Sequence, residues 1–371
     1  MSTEVERVKP MGRWTEFRRE AGRSLIAVVI ALVVAFVVIF LTSKAPLDAL
    51  STLLTAPLGR PRTIGLWIDD AAKLTVTGLA FSLVFQARQF SMGVQGQVYI
   101  GGLFATYVAV SPIGQTWLGI PLGILAAMVA GGIYGFLPGI AKARLGANEI
   151  VSSLMLNYIA IDIVNYLVRV QLGAPGMLYT APFPTTSVFP ALVPNTRIDL
   201  GLIFAIIAVL AVWFALYRTS WGLKLRLVGH NARFAAYAGI RSSFIMVSAM
   251  TASGALGGLL GSMFVQGQIF GKLNVLFEGN LAFEGILVAI VARSRPLAVP
   301  FVALAYGYLR QGAQLMNIRT DVPAEVIGIV TALIIILVSS TFKFPGKSFF
   351  ARLLGIRPSV PLSATAGEAR Q

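Results

Sequence analysis

The segment SLIAVVIALVVAFVVIFL, residues 24–41, is apolar at every position from 25 to 41. A run of this length approaches the roughly 20 residues that a helix needs to cross the hydrocarbon core of a bilayer. It follows a basic stretch, residues 1–23, as the apolar core of a secretory signal also would. Such a core is shorter, about 7–15 residues, and a small-residue cleavage site follows it. We therefore interpret residues 25–42 as an uncleaved first helix whose N-terminus is cytoplasmic.

The composition of the whole chain agrees with this interpretation. Hydrophobic residues make up 56% of the 371 residues and charged residues 12%, about half of what a soluble domain carries. Nine further apolar stretches follow, at 71–87, 97–111, 118–141, 150–172, 199–217, 244–265, 281–292, 298–315 and 325–342. The sequence predicts an all-α, polytopic membrane protein of about ten transmembrane helices. The stretch 281–292 is too short to cross unaided, so tilted, broken or partly re-entrant helices are expected.

The distribution of positive charge predicts the topology. With the N-terminus inside, 21 of the 30 Lys and Arg residues fall in cytoplasmic segments, as the positive-inside rule requires. This predicts a cytoplasmic N-terminal segment (1–24), one transmembrane domain (25–342) and a cytoplasmic tail (343–371). Within the domain, 43–70 and 173–198 are expected to be external loops, and 218–243 a cytoplasmic loop.

Both external loops are rich in proline. In 43–70, the stretch APLGRPRTIGLWIDD is expected to contain no continuous helix, because prolines and glycine interrupt it. The loop 173–198 is expected to fold as a cap with little helix or sheet. Its Phe183, Phe189 and Leu192 are expected to be exposed, either as parts of a spacer or as a surface that docks a partner.

The residue inventory excludes several classes of function. The chain has no cysteine and one histidine, so thiolate and imidazole metal sites and thiol catalysis are excluded. The net charge of +15 is scattered over short loops, which does not favour nucleic-acid binding. We expect no catalytic residues and no metal ligands, because the acidic residues in or near the spans have no His, Lys or carboxylate partner at helical spacing; these are Glu149, Asp162, Glu278 and Glu284.

Two classes of transporter remain. An ion-coupled secondary transporter favours a carboxylate inside the membrane, and Asp162, flanked by Asn157 and Asn165 on adjacent turns, is the best candidate. The membrane half of a primary transporter instead requires a stiff cytoplasmic loop that contacts an ATPase on another chain. In 218–243, Gly229 is expected to break the chain, Asn231 to act as an N-cap and Gly239 as a C-cap of a short helix, ARFAAYAG.

Four blocks of sequence resemble one family, the permease subunits of bacterial ABC importers for branched-chain amino acids, simple sugars and nucleosides. The chain is most similar to the nucleoside and simple-sugar branch. The blocks are FQARQFSMGVQGQVYIGG (85–102), LGANEIVSSLMLNYIA (145–160), LRLVGHNARFAAYAGI (225–240) and AFEGILVAIVARSRPLAVPFVALAYGYLRQGA (282–313). The chain departs from the first block at Ser91 and Gln95, where that branch usually has Asn and Glu.

The resemblance implies the ABC importer permease fold, with coupling to the ATPase through 229–240. The implied coupling residues are Gly229, Asn231, Arg233, Ala235, Ala236, Gly239 and Ile240. ATP and magnesium would be bound by the partner ATPase, and this chain would bind no cofactor. The other implied partners are a second permease, an extracytoplasmic substrate-binding protein and membrane lipids, in the bacterial inner membrane. A heterodimer of permeases is favoured over a homodimer.

A translocation path between two permeases is also implied. Amides and aromatic rings can bind a nucleobase or a sugar without net charge, so the expected path residues are Gln95, Gln97, Asn157, Tyr158, Phe283 and Glu284. Interhelical hydrogen bonding is the alternative role for each of them. The expected substrates are nucleosides, with ribose-like sugars as the alternative. The glycines of 253–264 are expected to allow close helix crossings, which either slide or pack statically.

Overall fold

The computed structural model describes residues 36, 37, 40, 44–173, 177–274, 277 and 281–322. The regular structure of these residues is helical, and their extended pairing is limited to three isolated bridges. Four predicted parts lie wholly or almost wholly outside the described residues: the segment 1–24, nearly all of the crossing 25–42, the whole crossing 325–342 and the tail 343–371.

From residue 46 onward, the described helices agree in position with most of the apolar stretches. They are α1 (Pro46–Thr55), α2 (Pro61–Gln86), α3 (Val94–Val110), α4 (Gly119–Leu145), α5 (Glu149–Leu167), α6 (Gly201–Arg218), α7 (Ser220–His230), α8 (Ala232–Tyr237), α9 (Ser242–Val265), α10 (Leu281–Val291) and α11 (Val299–Arg319). A π-helical turn, Val168–Leu172, extends α5.

The predicted external loop 43–70 is largely helical, so the expectation that it contains no continuous helix was wrong. Helix α1 lies inside it, and α2 begins at Pro61, ten residues before the predicted start. Each helix has its proline in the first turn, where the missing backbone N–H leaves no hydrogen bond unmade. The hydroxyl of Thr63 accepts from the backbone N–H of Arg60 at 3.3 Å and completes the start of α2.

Four described helices are long and apolar enough to cross a bilayer: Gly119–Leu145, Glu149–Leu172, Gly201–Arg218 and Ser242–Val265. The predicted number of about ten crossings is therefore not confirmed by the part of the chain that is described. Helix α10 has 11 residues, about 16 Å of helix, and is too short to span about 30 Å of hydrocarbon. This agrees with the expectation of incomplete crossings.

Helix α9 lies at the centre and packs against α4, α3 and α2. Its glycines bring the backbones into direct contact. A Cβ atom built on Gly258 would lie 1.9 Å from the carbonyl oxygen of Ala127, and one on Gly261 would lie 2.3 Å from that of Val98. The predicted close helix crossings are therefore present, and each requires the absence of a side chain at the crossing point.

Residues 177–198 fold back onto the chain. The backbone N–H of Thr180 donates to the carbonyl of Leu273 at 2.9 Å, and that of Phe189 donates to Gln266 at 2.8 Å. This pairing turns the rings of Phe183 and Phe189 inward, where both are buried. Their expected exposure was wrong, because their apolar surface is covered by the chain itself. Leu192 is exposed, as expected.

Candidate functional site: the α7–α8 corner and the polar helix contacts

The segment 218–243, predicted to be a cytoplasmic loop, contains two short helices that meet at Asn231. The side-chain oxygen of Asn231 accepts from the backbone N–H groups of Arg233 and Phe234, both at 3.0 Å, which caps α8. The backbone N–H of Asn231 in turn donates to the carbonyl of Leu227 in α7 at 3.0 Å. The predicted N-cap is therefore present, and it joins the two helices through one residue.

Helix α8 ends where the sequence placed its C-cap. Gly239 has φ +73°, a left-handed conformation that favours glycine, and its N–H donates to Ala236 at 3.0 Å. The N–H of Ile240 donates to Ala235, which is buried, so the end of the helix is anchored. Arg233 and Ala236 are exposed, and the ring of Tyr237 is 92% exposed. Most of α8 is thus a free surface.

The prediction that Gly229 breaks the chain was wrong. Helix α7 continues through Gly229 to His230, because Gly229 is needed for packing rather than for a turn. A Cβ atom at this position would lie 1.9 Å from the carbonyl oxygen of Gln86, at the end of α2. Helix α7 is also tied to α9, since the indole N–H of Trp221 donates to the hydroxyl of Ser248 at 2.9 Å.

Asn157, a predicted path residue, connects two helices inside the subunit. Its side-chain oxygen accepts from the N–H of Gly96 at 2.8 Å, and its amide donates to the carbonyl of Met92 at 2.7 Å. The residue is 2% exposed. This geometry is that of the interhelical role, in which the amide satisfies backbone groups at the start of α3.

The other predicted path residues occupy different surroundings. Gln97 is buried against Gly257 of α9, and its side-chain oxygen has no hydrogen-bond partner within the described chain. Gln95 and Phe283 are half-buried. Tyr158, one residue after Asn157, points outward and is 63% exposed. Neighbouring positions of α5 therefore divide between the interior and the subunit surface.

The outward face of α5 carries polar groups in a regular stripe. Tyr158, Asp162 and Tyr166 recur at intervals of four residues, and all three are exposed. Asn165, which the sequence placed beside Asp162, is half-buried. A carboxylate exposed on a membrane-spanning helix is costly in lipid, so such residues normally face a partner or a water-filled cavity.

Glu284 belongs to a charge cluster that the sequence did not predict. One nitrogen of Arg310 in α11 lies 2.8 Å from a carboxylate oxygen of Glu284 in α10, and another lies 2.8 Å from one of Asp70 in α2. The side chains of all three are mostly shielded from solvent. One arginine thus joins three helices. Asp70 was missed because the sequence analysis placed it in an external loop.

A second buried pair in α2 is formed by Asp69, the residue before Asp70, and Lys73. The ammonium of Lys73 is 2.6 Å from a carboxylate oxygen of Asp69, one helical turn away, and lies 4.9 Å from the centre of the Phe264 ring. The i, i+4 spacing of Asp69 and Lys73 was the available signal for this pair.

The carboxylate of Asp199, near this pair, accepts from the N–H groups of Gly201 and Gln268. Burial raises the pKa of Asp199, and these hydrogen bonds oppose that rise.

Glu149 has a partner seven residues away, in the preceding helix. Its carboxylate lies 2.6 Å from the ammonium of Lys142 across the turn between α4 and α5. The same ammonium donates to the side-chain oxygen of Gln89. The pair fastens two helix ends at one face, and tertiary contact rather than sequence spacing creates it.

Comparison with known proteins places this architecture in a family. Residues 64–339 match the family described as branched-chain amino acid transport system / permease component. No solved structure matches the chain.

Three relatives illustrate the similarity. The guanosine ABC transporter permease protein NupP of Bacillus subtilis is 30% identical over 323 residues, which cover 86% of this chain and 92% of the relative. The nucleoside ABC transporter permease protein NupB of Lactococcus lactis is 28% identical and covers 86% and 90%. A glucose ABC transporter permease of Haloferax volcanii is also 28% identical and covers 88% of each chain. Together with the apolar helices, the match over residues 64–339 shows that the chain is a multi-pass membrane protein of the branched-chain amino acid transport system permease family.

Proposed function

We propose that this chain is the membrane-spanning permease subunit of an ATP-driven importer that moves nucleosides across the bacterial inner membrane. The observation that carries the proposal is the similarity, over most of the chain, to permeases named for guanosine and nucleoside transport. In this arrangement both termini are cytoplasmic, and the ATP and magnesium are bound by a separate ATPase subunit.

Helix α8 is the surface through which this chain would contact the ATPase. It is capped at both ends and anchored by the buried Ala235, yet its outer face is free. Arg233 and the exposed rings of Phe234 and Tyr237 are available to a partner. A short, rigid helix that projects from the membrane domain can transmit a rigid-body displacement, because its geometry is fixed before the partner binds.

Uptake of labelled nucleosides tests the proposal. Deleting the gene should abolish submicromolar uptake of guanosine, adenosine and uridine, and the unaltered gene should restore it. Asn231→Pro should restore no uptake and should lose the co-purifying ATPase, because proline cannot adopt φ −153° and removes the N–H that bonds Leu227. Asn231→Asp is the matched control, because aspartate is an equally good N-cap. Undiminished uptake with Asn231→Pro would contradict the coupling role of α8.

The outward face of α5 is the part of this chain that we expect to line the translocation path. Tyr158, Asp162 and Tyr166 form its polar stripe, and a second permease packed opposite would enclose them. Tyrosine rings can stack on a nucleobase, and their hydroxyls can bond to it or to a ribose. Asn157 and Gln97 would support this face from inside, and Glu284 would act through its pairing with Arg310.

Thiol labelling distinguishes this path from a lipid-facing surface. The chain has no cysteine, so a single Tyr158→Cys variant carries one reporter. We expect this thiol to react with a charged, membrane-impermeant thiosulfonate, and bound nucleoside to slow the reaction. Leu210→Cys on α6 is the matched control, since Leu210 is 55% exposed but lies on an apolar helix. Equal reactivity of the two thiols would contradict the assignment of the path.

A simple-sugar substrate is the second candidate, and the glucose permease of Haloferax volcanii is the observation that favours it. In that case deletion would reduce the uptake of ribose or glucose and leave nucleoside uptake unchanged. Ion-coupled transport by this chain alone predicts instead that Asp162→Asn abolishes uptake and that a collapsed proton gradient does the same. An ATP-driven importer should keep working without the gradient as long as ATP is present.

Two further partners belong to this proposal. A second, different permease would complete the path at the α5 face. An extracytoplasmic binding protein would deliver the solute to the outer surface, where Leu192 and the exposed part of 173–198 are available. Crosslinking from Tyr166→Cys should recover a permease of different mass, and recovery of a second copy of this chain would favour a homodimer.

A further inference from the structure

The ends of α2, α7 and α10 surround a cleft of about 540 Å³ on the predicted cytoplasmic side. Among the residues that the structure describes, its lining combines apolar side chains with basic ones and includes no acidic residue. The lining residues are Phe85, Gln86, Arg88, Leu223, Arg226, Leu227, Gly229, His230, Arg293 and Ser294. Three guanidinium groups therefore share one cleft, beside the residue at which α7 contacts α2.

Two of these arginines have an unusual backbone conformation. Arg88 and Arg293 both have φ 52°, in the left-handed region that residues other than glycine rarely adopt. Each follows the end of a helix, α2 or α10, whose partial negative charge favours a nearby cation. Each occupies the left-handed position of a Schellman helix end, because the N–H of the following residue, Gln89 or Ser294, donates to the carbonyl five residues earlier, that of Val84 or Ala289. At these two helix ends, both arginine side chains line the cleft.

A second, apolar cleft of about 370 Å³ adjoins the first. Its lining residues are Trp213, Tyr217, Arg295, Pro296, Leu297 and Ala298. The turn between α10 and α11 contributes to both clefts. Arg226 connects them directly, because its guanidinium carbon lies 5.1 Å from the centre of the Tyr217 ring. A basic cleft thus lies next to an apolar, aromatic one.

We propose that the two clefts together form a binding site for an anionic phospholipid of the inner leaflet. The phosphate would bind Arg88 and Arg226, and an acyl chain would lie along Trp213, Tyr217 and Leu297. Basic pockets on the cytoplasmic side of membrane proteins bind anionic headgroups in this way. A free phosphate-bearing solute would match the basic cleft but would leave the apolar one unused.

The position of the site gives the lipid a structural role. Gly229 and His230, at the end of α7 where it meets α8, line the basic cleft, and so does Gln86. The amide of Gln86 donates to the carbonyl of Ser294 at 3.0 Å, which joins the two turns that the lipid would bridge. A bound phospholipid would therefore hold α7, α2 and the α10–α11 turn together. This inference rests on the permease family and is independent of the solute transported.

Native mass spectrometry of the full-length chain, purified with phosphatidylglycerol or phosphatidylethanolamine, tests the site. The unaltered protein should retain phosphatidylglycerol preferentially. The double variant Arg88→Gln/Arg226→Gln should retain it about tenfold less, because each basic group near a membrane surface contributes to anionic lipid binding. Arg144→Gln, which removes an exposed charge from another cytoplasmic turn, is the matched control and should retain it fully.

A second set of measurements separates a lipid from a free phosphate. Leu297→Ser should reduce the retention of phosphatidylglycerol, because it makes the acyl-chain cleft polar, while Arg88 and Arg226 are unchanged. Glycerol phosphate in excess should displace little lipid. Full displacement by glycerol phosphate together with unaltered retention in Leu297→Ser would overturn the lipid assignment. Equal retention of the two lipids, or full retention by the double arginine variant, would overturn the site itself.

Discussion

Helices α9 and α2 pack against their other neighbours by different physical means. On one side, α9 contacts α4 and α3 through glycines, with backbone against backbone. On the other, α2 contacts α10 and α11 through Arg310 and two carboxylates. Close backbone packing depends on shape alone and tolerates no added atom. In a buried ion pair, each charge requires the other, but all the charged residues can be replaced together by uncharged ones. The two kinds of contact should therefore respond differently to substitution.

The largest effect is expected on the glycine side. In Gly258→Leu, the new side chain would start 1.9 Å from the carbonyl oxygen of Ala127, and backbone cannot move aside as a flexible side chain can. We expect loss of the folded protein, measured as membrane-extracted monodisperse protein. Gly132→Ala is the matched control, because its Cβ would meet no atom closer than 3.5 Å. A normal yield of Gly258→Leu would contradict the close contact.

Substitution in the Arg310 cluster should lower stability without preventing folding, and further substitutions should restore it. Arg310→Met leaves the carboxylates of Asp70 and Glu284 buried without their partner, which costs about 3–5 kcal/mol. Thermal unfolding in detergent should therefore show a marked loss of stability. The triple variant Arg310→Met/Asp70→Asn/Glu284→Gln removes all three charges and should recover most of the loss. Equal stability of the single and triple variants would show that the cluster does not act as one unit.

A smaller effect is expected where an uncharged amide joins helices. Asn157→Leu removes two hydrogen bonds to the start of α3, a loss of about 1–2 kcal/mol from interhelical bonds of this kind. Tyr158→Phe, at the exposed neighbouring position, should leave the unfolding temperature unchanged. If Asn157→Leu instead preserved stability and altered only the KM for uptake, Asn157 would line the path and the packing interpretation would be wrong.

The smallest effect should come from a charge pair outside the buried cluster. Lys142 and Glu149 are partly exposed, so solvent screens their attraction, and the pair should contribute about 0–1 kcal/mol. Glu149→Gln should therefore hardly change the unfolding temperature, and 0.5 M salt should abolish the difference. A loss as large as that of Arg310→Met would show that exposure does not separate the two kinds of pair.

The sequence predicted helix positions well where apolar runs were long, and it predicted the caps at Asn231 and Gly239 from local chemistry. It failed at Gly229 and at Asp70 for a common reason. Whether a glycine ends a helix or allows another part of the chain to pack closely against it depends on distant residues, here on the carbonyl of Gln86. The partner of Asp70 is Arg310, 240 residues away. Local patterns contain no information about such contacts.

The burial of Phe183 and Phe189 was missed for the same reason. Proline spacing indicated a segment without regular structure, and the described residues 177–198 are largely irregular. Backbone pairing with 266–273 then determines which way the rings face. The division of α5 between the buried Asn157 and the exposed Tyr158 likewise follows from packing against α3.

Because Gly229 lies directly against Gln86, a displacement of α7 at this contact would tilt α2. A displacement of the α7–α8 corner cannot be absorbed by a compressible side chain at that point, because glycine has none. About 24 Å of helix separates Gln86 from Asp70, so a tilt of about 5° there would shift Asp70 by about 2 Å. That shift is comparable to the 2.8 Å separation of Asp70 from Arg310. A tilt of this size, produced by a displacement of the α7–α8 corner, would be enough to separate the ion pair that joins α2 to α11.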